Sequence, residues 1–103
     1  MANIGKLMKQ AQEMQAKMAR LQEELATREV EGSSGGGMVT VRMNGQQEVL
    51  AVKIEPEVFE EGDREMLEDL IVAATNEARR HALDLAKDEM SKLTGGLPIP
   101  GLF

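Results

Sequence analysis

Four cations, Lys6, Lys9, Lys17 and Arg20, fall within about an 80° sector when each helical residue is turned by 100°. A row of ammonium and guanidinium groups on one helix face is what a phosphate backbone takes up, with release of its counterions. Uncharged Gln10 and Gln12 beside the row add hydrogen-bonding groups for phosphate or base edges. The ordinary alternative is intrahelical pairing, since Lys9 to Glu13, Glu13 to Lys17 and Arg20 to Glu24 have the four-residue spacing of pairs that stabilise a helix by a few tenths of a kcal/mol. Farther along, Arg79, Arg80, Lys87 and Lys92 are interleaved with Glu77, Asp84, Asp88 and Glu89. Pairing is the better reading there, with phosphate contact by Arg79 and Arg80 the second.

Catalysis has little to stand on. His81 is the one histidine, cysteine is absent, and no nucleophile elbow, P-loop or zinc-type spacing occurs. His81 falls beside Ala82 and Leu85 on an apolar helix side, where a hydrogen-bonded packing role is expected. Gly35-Gly36-Gly37 lacks the Lys-Ser/Thr of a phosphate cradle and leads into a strand, so it reads as a flexible connection. The acids Glu55, Glu57, Glu60, Glu61, Asp63 and Glu65 lack the register of a calcium loop and read as a solvated helix start. No catalytic residue, metal site, cofactor or small-molecule substrate is expected.

The chain of 103 residues carries a net charge of -6, which argues against coating DNA by bulk charge and leaves only local charge to do so. That charge is polarised: residues 1–22 hold four basic side chains and one acidic, net +3, whereas residues 57–69 are net -6. With Phe59 and Phe103 the only aromatic residues, base stacking is not the expected mode of contact, and eight methionines fill apolar space instead. Absence of cysteine fits a reducing compartment. No signal-type or membrane-spanning apolar run is present, so a cytoplasmic protein without membrane contact is expected.

The elements that must position the cations follow from periodicity. Ile4, Leu7, Ala11, Met14, Met18, Leu21 and Leu25 alternate steps of three and four, a heptad seam on a long helix whose cations face away from it. Gly32-Ser33-Ser34-Gly35-Gly36-Gly37 reads as a flexible break, with a short strand somewhere in residues 27–32. Met38 to Asn44 alternates with Val39, Val41 and Met43 on one face, and Asn44-Gly45 signals a two-residue hairpin. Glu48 to Glu55 follows with Leu50, Val52 and Ile54 on one face, closed by Pro56. Asp63 caps a second long helix running to Leu93, ended by Gly95-Gly96, with Leu67, Leu70, Ile71, Ala74, Ala78, Ala82, Leu85 and Leu93 inward. Its alanines permit close approach. The expectation is an α+β fold, one α-β-β-β-α domain over residues 1–94 with an irregular tail over 95–103.

Such helices are about 33 and 45 Å long, whereas a compact domain of this size is only about 34 Å across. A three-stranded sheet does not cover both and leaves its edges open. A homodimer is therefore expected, through helix seams, sheet edges or both.

Leu7-Met8-Lys9-Gln10-Ala11-Gln12, Glu31 to Gly37, Glu65-Met66-Leu67-Glu68-Asp69-Leu70, Ala73 to Ala78 and the tail from Thr94 to Gly101 together resemble the YbaB/EbfC family of bacterial nucleoid-associated proteins. The start departs from it, lacking the glycine-rich lead of some members. The resemblance implies a long N-terminal helix, a three-stranded antiparallel sheet and a long C-terminal helix in a tweezer-like dimer. It also implies a nucleoid location and binding of double-stranded DNA with limited sequence preference. The DNA-binding positions it points to are Lys6, Lys9, Lys17 and Arg20, then Arg79, Arg80 and Lys87. A runner-up reading is a helical, chaperone-like protein-binding module, with Met8, Met14 and Met18 as adaptable contacts.

Overall fold

The computed structural model describes residues 3–60 and 62–95. The heptad seam forms α1 (Ile4–Thr27), which ends where Arg28 turns extended. Three strands follow, β1 (Glu29–Ser34), β2 (Val39–Asn44) and β3 (Val49–Ile54), in an antiparallel sheet of order β1-β2-β3. The short α2 (Pro56–Glu60), unforeseen from the sequence, starts on the proline, whose missing N–H costs nothing at a first helical position. α3 (Arg64–Leu93) then returns across the sheet. Asp63 caps it as expected, its Oδ1 accepting from the N–H of Met66 at 2.9 Å. At the other end Gly95, with φ +66°, terminates it.

β1 reaches farther than its composition suggests. Gly32, Ser33 and Ser34 are strand residues paired with Val41, Thr40 and Val39, and only Gly35–Gly37 form a turn. The expected flexible break is therefore ordered sheet over half its length. The reason is tertiary: α3 lies so close to β1 that a Cβ on Gly32 would sit 2.8 Å from the Ala78 Cα and collide with the Ala78 nitrogen and Ala74 carbonyl. Ser34 Oγ donates to the Leu70 carbonyl at 2.6 Å, and the Ser33 N–H donates to Glu77 Oε1 at 3.3 Å. Around this contact Val39, Val41, Met43, Ala74, Ala78 and Ala82 form the main core, with Leu67, Leu70 and Ile71 packed against it.

The β2–β3 connection is a hairpin but not the two-residue turn expected. Residues 45–48 make the loop, with Gln47 at φ +67°, because Asn44 is used differently. Its buried Oδ1 accepts from the N–H groups of Gln46 and Glu48 at 2.9 and 3.0 Å, while Nδ2 donates to the Ala26 carbonyl at 3.3 Å. Gly45 lies against the end of α1, its N–H donating to the carbonyls of Leu25 and Arg28 at 2.9 and 3.0 Å. A Cβ there would meet the Leu25 oxygen at 2.7 Å. This corner clamps α1 to the sheet.

Two expected packing faces are corrected. A bulge between Arg42 and Met43 pairs Arg42 with Ala51 and Met43 with Val49, so Leu50 drops out of the Leu50–Val52–Ile54 face. Val52, opposite core Val41, keeps the right side of the sheet. Yet α3 packs on β1 and β2, leaving Val52 44% and Leu50 43% exposed while Ile54 is half-buried. His81 is exposed rather than packed, and its Nδ1 donates to the Glu31 carbonyl of β1.

A second small core joins the helices. Leu21 and Leu25 of α1 pack with Met90 of α3, joined by Met18, Leu85, Ala86 and Leu93. Arg28 lies beside Glu89, and Lys17 shares a groove with Leu93. α1 and α3 therefore run antiparallel, and α1 projects past the end of α3 by about 14 residues, or roughly 21 Å. The molecule spans 72 × 21 × 17 Å.

Gly32→Ala is expected to lower stability by about 3 kcal/mol, since its methyl meets immovable backbone, whereas Gly36→Ala, in open space at φ +66°, should cost only about 1 kcal/mol. Urea denaturation of both variants checks the order; equal losses would show that β1 and α3 do not meet this closely.

Candidate nucleic-acid interface

Lys6, Lys9, Lys17 and Arg20 are all exposed on α1; beside Lys17 and Arg20 the seam residues Met18, Leu21 and Leu25 pack toward α3, whereas Lys6 and Lys9 lie where the helix projects beyond it. None of the three intrahelical pairs that spacing allows is formed. Among the described residues the ion pairs are Arg28–Glu89, Arg42–Glu29, Arg64–Glu68 and Lys92–Glu89. The stripe thus presents four cations with no carboxylate partner among the described residues.

The structure divides the sequence-derived set into groups. Lys17 and Arg20 line a groove between α1 and α3 with Leu21, Glu24, Glu89, Lys92 and Leu93. Lys92, absent from that set, joins them only through the antiparallel packing of the helices, which periodicity within one helix does not reveal. Lys6 and Lys9 stand on the projecting part of α1. Arg80 and Lys87 share an outward groove on α3 with Leu83 and Asp84. Arg79 belongs to neither: its Nε donates to Gln47 Oε1 at 3.1 Å, holding the hairpin loop to α3. Among the interleaved residues 77–92 of α3 pairing is also sparser than their alternation implies, because Glu77 serves Ser33 and, of the described pairs within that stretch, Lys92–Glu89 alone closes.

Glu89 is the electrostatic hinge of the groove. Its carboxylate lies 3.2 Å from Lys92 Nζ and 3.5 Å from an Arg28 guanidinium nitrogen. The hydrogen bond from Lys92, then the two positive charges and the bond from Arg28, hold its pKa below the ordinary value against the opposing pull of desolvation. It ties the end of α3 to the residue following α1.

No group of three or more His, Cys, Asp or Glu side chains able to hold a metal ion occurs among the described residues. None of the helices described is long and apolar enough to cross a membrane. What the arrangement offers is charge display. The basic projection of α1 lies at one end of the long axis, and the acidic start of α3, where Glu65, Glu68 and Asp69 are exposed, lies at the other.

Residues 1–97 match the model of the YbaB/EbfC DNA-binding family. The chain belongs to that family. It is 54% identical over 100 residues to a nucleoid-associated protein of Desulfotalea psychrophila, covering 97% of this chain and 94% of that one. It is 56% identical over 95 residues to a nucleoid-associated protein of Syntrophobacter fumaroxidans, covering 92% and 86%. The fold is shared with the crystal structure of an uncharacterized protein from Helicobacter pylori at TM-score 0.78 and 23% identity, over 88% of this chain and 96% of that one. YbaB/EbfC membership bears out the resemblance carried by the motifs and sets the chain in a DNA-binding family rather than an enzyme family.

Because the folded-state pKa of Glu89 is depressed, its contribution to stability is present above about pH 4.3, the ordinary glutamate value, and is lost as pH falls through the lowered folded value. The gap in thermal midpoint between the native chain and Glu89→Gln should therefore be open at pH 7 and close under acid. A gap unchanged down to pH 2 would dismiss the role given to this carboxylate.

Proposed function

We propose that the protein binds double-stranded DNA as a homodimer with limited sequence preference, its helix-borne cations resting on phosphates, and that it serves nucleoid organisation or gene regulation in the cytoplasm. The observation that carries the reading is the α1 stripe: Lys6, Lys9, Lys17 and Arg20, exposed on one face and in no ion pair among the described residues. Arg80 and Lys87 are secondary contacts; Arg79, engaged by Gln47, is the weakest of the set. The family and the nucleoid-associated relatives support the same reading. Phosphate contacts carry no sequence information, and the chain has too few aromatic side chains for stacking. The acidic total does not oppose this, since the acids concentrate at the end of the molecule away from the stripe.

For the dimer, the supporting feature is β3. Its apolar Val49, Leu50 and Val52 are exposed, and its outer edge has no strand beside it among the described residues. A bare apolar face next to an open edge is self-complementary under a two-fold axis, which suits a second copy of the chain. The dimer would present eight α1 cations.

In a gel-shift salt series on a mixed-sequence duplex, Lys9→Gln, Lys17→Gln and Arg20→Gln together should lower affinity at least tenfold. They should also flatten the slope of log K against log salt by about 5, at roughly 0.9 per lost phosphate contact. Native affinity in the triple variant would remove the stripe from the mechanism; no binding by the native chain at low salt would favour the protein-binding alternative. Separately, Val52→Glu should convert a dimer into a monomer of 11.3 kDa by light scattering. An unchanged dimer mass would place the interface elsewhere.

A further inference from the structure

Asn44-Gly45 is the one Asn-Gly pair in the chain, and such a pair carries its own reaction. The glycine nitrogen, unhindered by a side chain, attacks the asparagine Cγ. An N–Cγ bond forms, the Cγ–Nδ2 bond breaks, and the amide nitrogen leaves as ammonia with the proton of the glycine N–H. The cyclic imide then takes up one water. Opening at the side-chain carbonyl gives aspartate, and opening at the main-chain carbonyl gives isoaspartate.

The fold ties down both reacting groups. The Gly45 N–H, which must lose its proton for the nitrogen to attack, donates to the carbonyls of Leu25 and Arg28. Asn44 Oδ1 accepts from the N–H groups of Gln46 and Glu48, which turns Cγ toward the loop, and the leaving Nδ2 donates to the Ala26 carbonyl. Asn44 is only 4% exposed, so water for the second step is kept away as well. At the rim Gln46 Nε2 donates to the Gln22 carbonyl at 2.8 Å. The loop thereby caps the last turn of α1, whose final carbonyls have no further turn to accept from.

Neither product fits this corner. In aspartate an oxygen replaces Nδ2 and faces the Ala26 carbonyl, acceptor against acceptor. In isoaspartate the main chain runs through Cβ and Cγ, and the added methylene moves Gly45 off its two carbonyls. Conversion therefore destroys the bonds that had prevented it.

We propose that Asn44-Gly45 is a self-modification site held inert by the folded corner, and that opening of the corner exposes it to one-way conversion into a chain whose α1 is no longer fixed to the sheet. The proposal is independent of the DNA reading, because it concerns the joint of α1 with the sheet rather than the basic stripe.

The test uses the full-length chain at mildly alkaline pH, folded in one arm and unfolded in guanidinium chloride in the other. The tryptic peptide Met43–Lys53 is followed by mass for loss of the amide and by retention for isoaspartate. Conversion in the folded arm should be slower on the order of a hundredfold, since only the opened corner reacts. Gln46→Ala, which deletes the tie at the rim, should speed the folded arm about threefold and leave the unfolded arm unchanged. Equal rates in the two arms overturn the proposal, as does a Gln46→Ala chain that converts at the native folded rate. Converted and unconverted chains from the unfolded arm are then returned to native buffer. Amide exchange over residues 21–28 should be about tenfold faster in the converted chains, and their failure to refold counts the same way. Native exchange in the converted chains, or in Asn44→Asp as the aspartate product alone, overturns the switch.

Discussion

Two backbones meet where β1 at Gly32 lies against α3 at Ala74 and Ala78, so closely that no Cβ fits between them. A side chain on any of these three larger than the one present would hold strand and helix apart. Their smallness lets α3 lie flat enough for Ser33 and Ser34 to hydrogen-bond to it and for Val39, Val41 and Met43 to be sealed. It also fixes the direction in which α3 leaves the sheet. That direction decides where Met90 and Leu93 meet α1, and hence which part of the basic helix is held and which projects.

Much of this was legible in the residues. Steps of three and four, an aspartate cap and a terminal glycine placed both long helices to within a few positions, since the hydrophobic period and the caps are local physics. Alternation placed β2. What was not legible depends on contacts between distant segments. Gly32 to Ser34 read as a break because glycine and serine are poor strand formers in isolation, yet the close helix recruits them into β1. The Leu50–Val52–Ile54 alternation tells which side of a strand is apolar, not whether a helix reaches it, nor that a bulge displaces Leu50.

The charge pattern divides in the same way. A sector on one helix is readable by rotation alone, so Lys6, Lys9, Lys17 and Arg20 were found together. The grouping of Lys92 with Lys17 and Arg20, and the engagement of Arg79 by Gln47, needed the fold. So did the outcome of intrahelical pairing, because spacing allows an ion pair without requiring it, and exposed pairs gain little from closing.

The clamp formed by Asn44 and Gly45 makes the projecting half of α1 a lever with its pivot at the sheet. For any small tilt about that corner the displacement of a side chain grows in proportion to its distance from it, so Lys6 sweeps a wider arc than Lys9, and Lys9 a wider one than Arg20. For a given tilt the displacement along the basic face is therefore graded, least near the sheet and greatest at its tip. A duplex whose groove widths vary along its length presents phosphates at positions that shift with sequence. If the proposed contacts form, a set of cations with one anchored end and one projecting end would follow such variation without repacking a core.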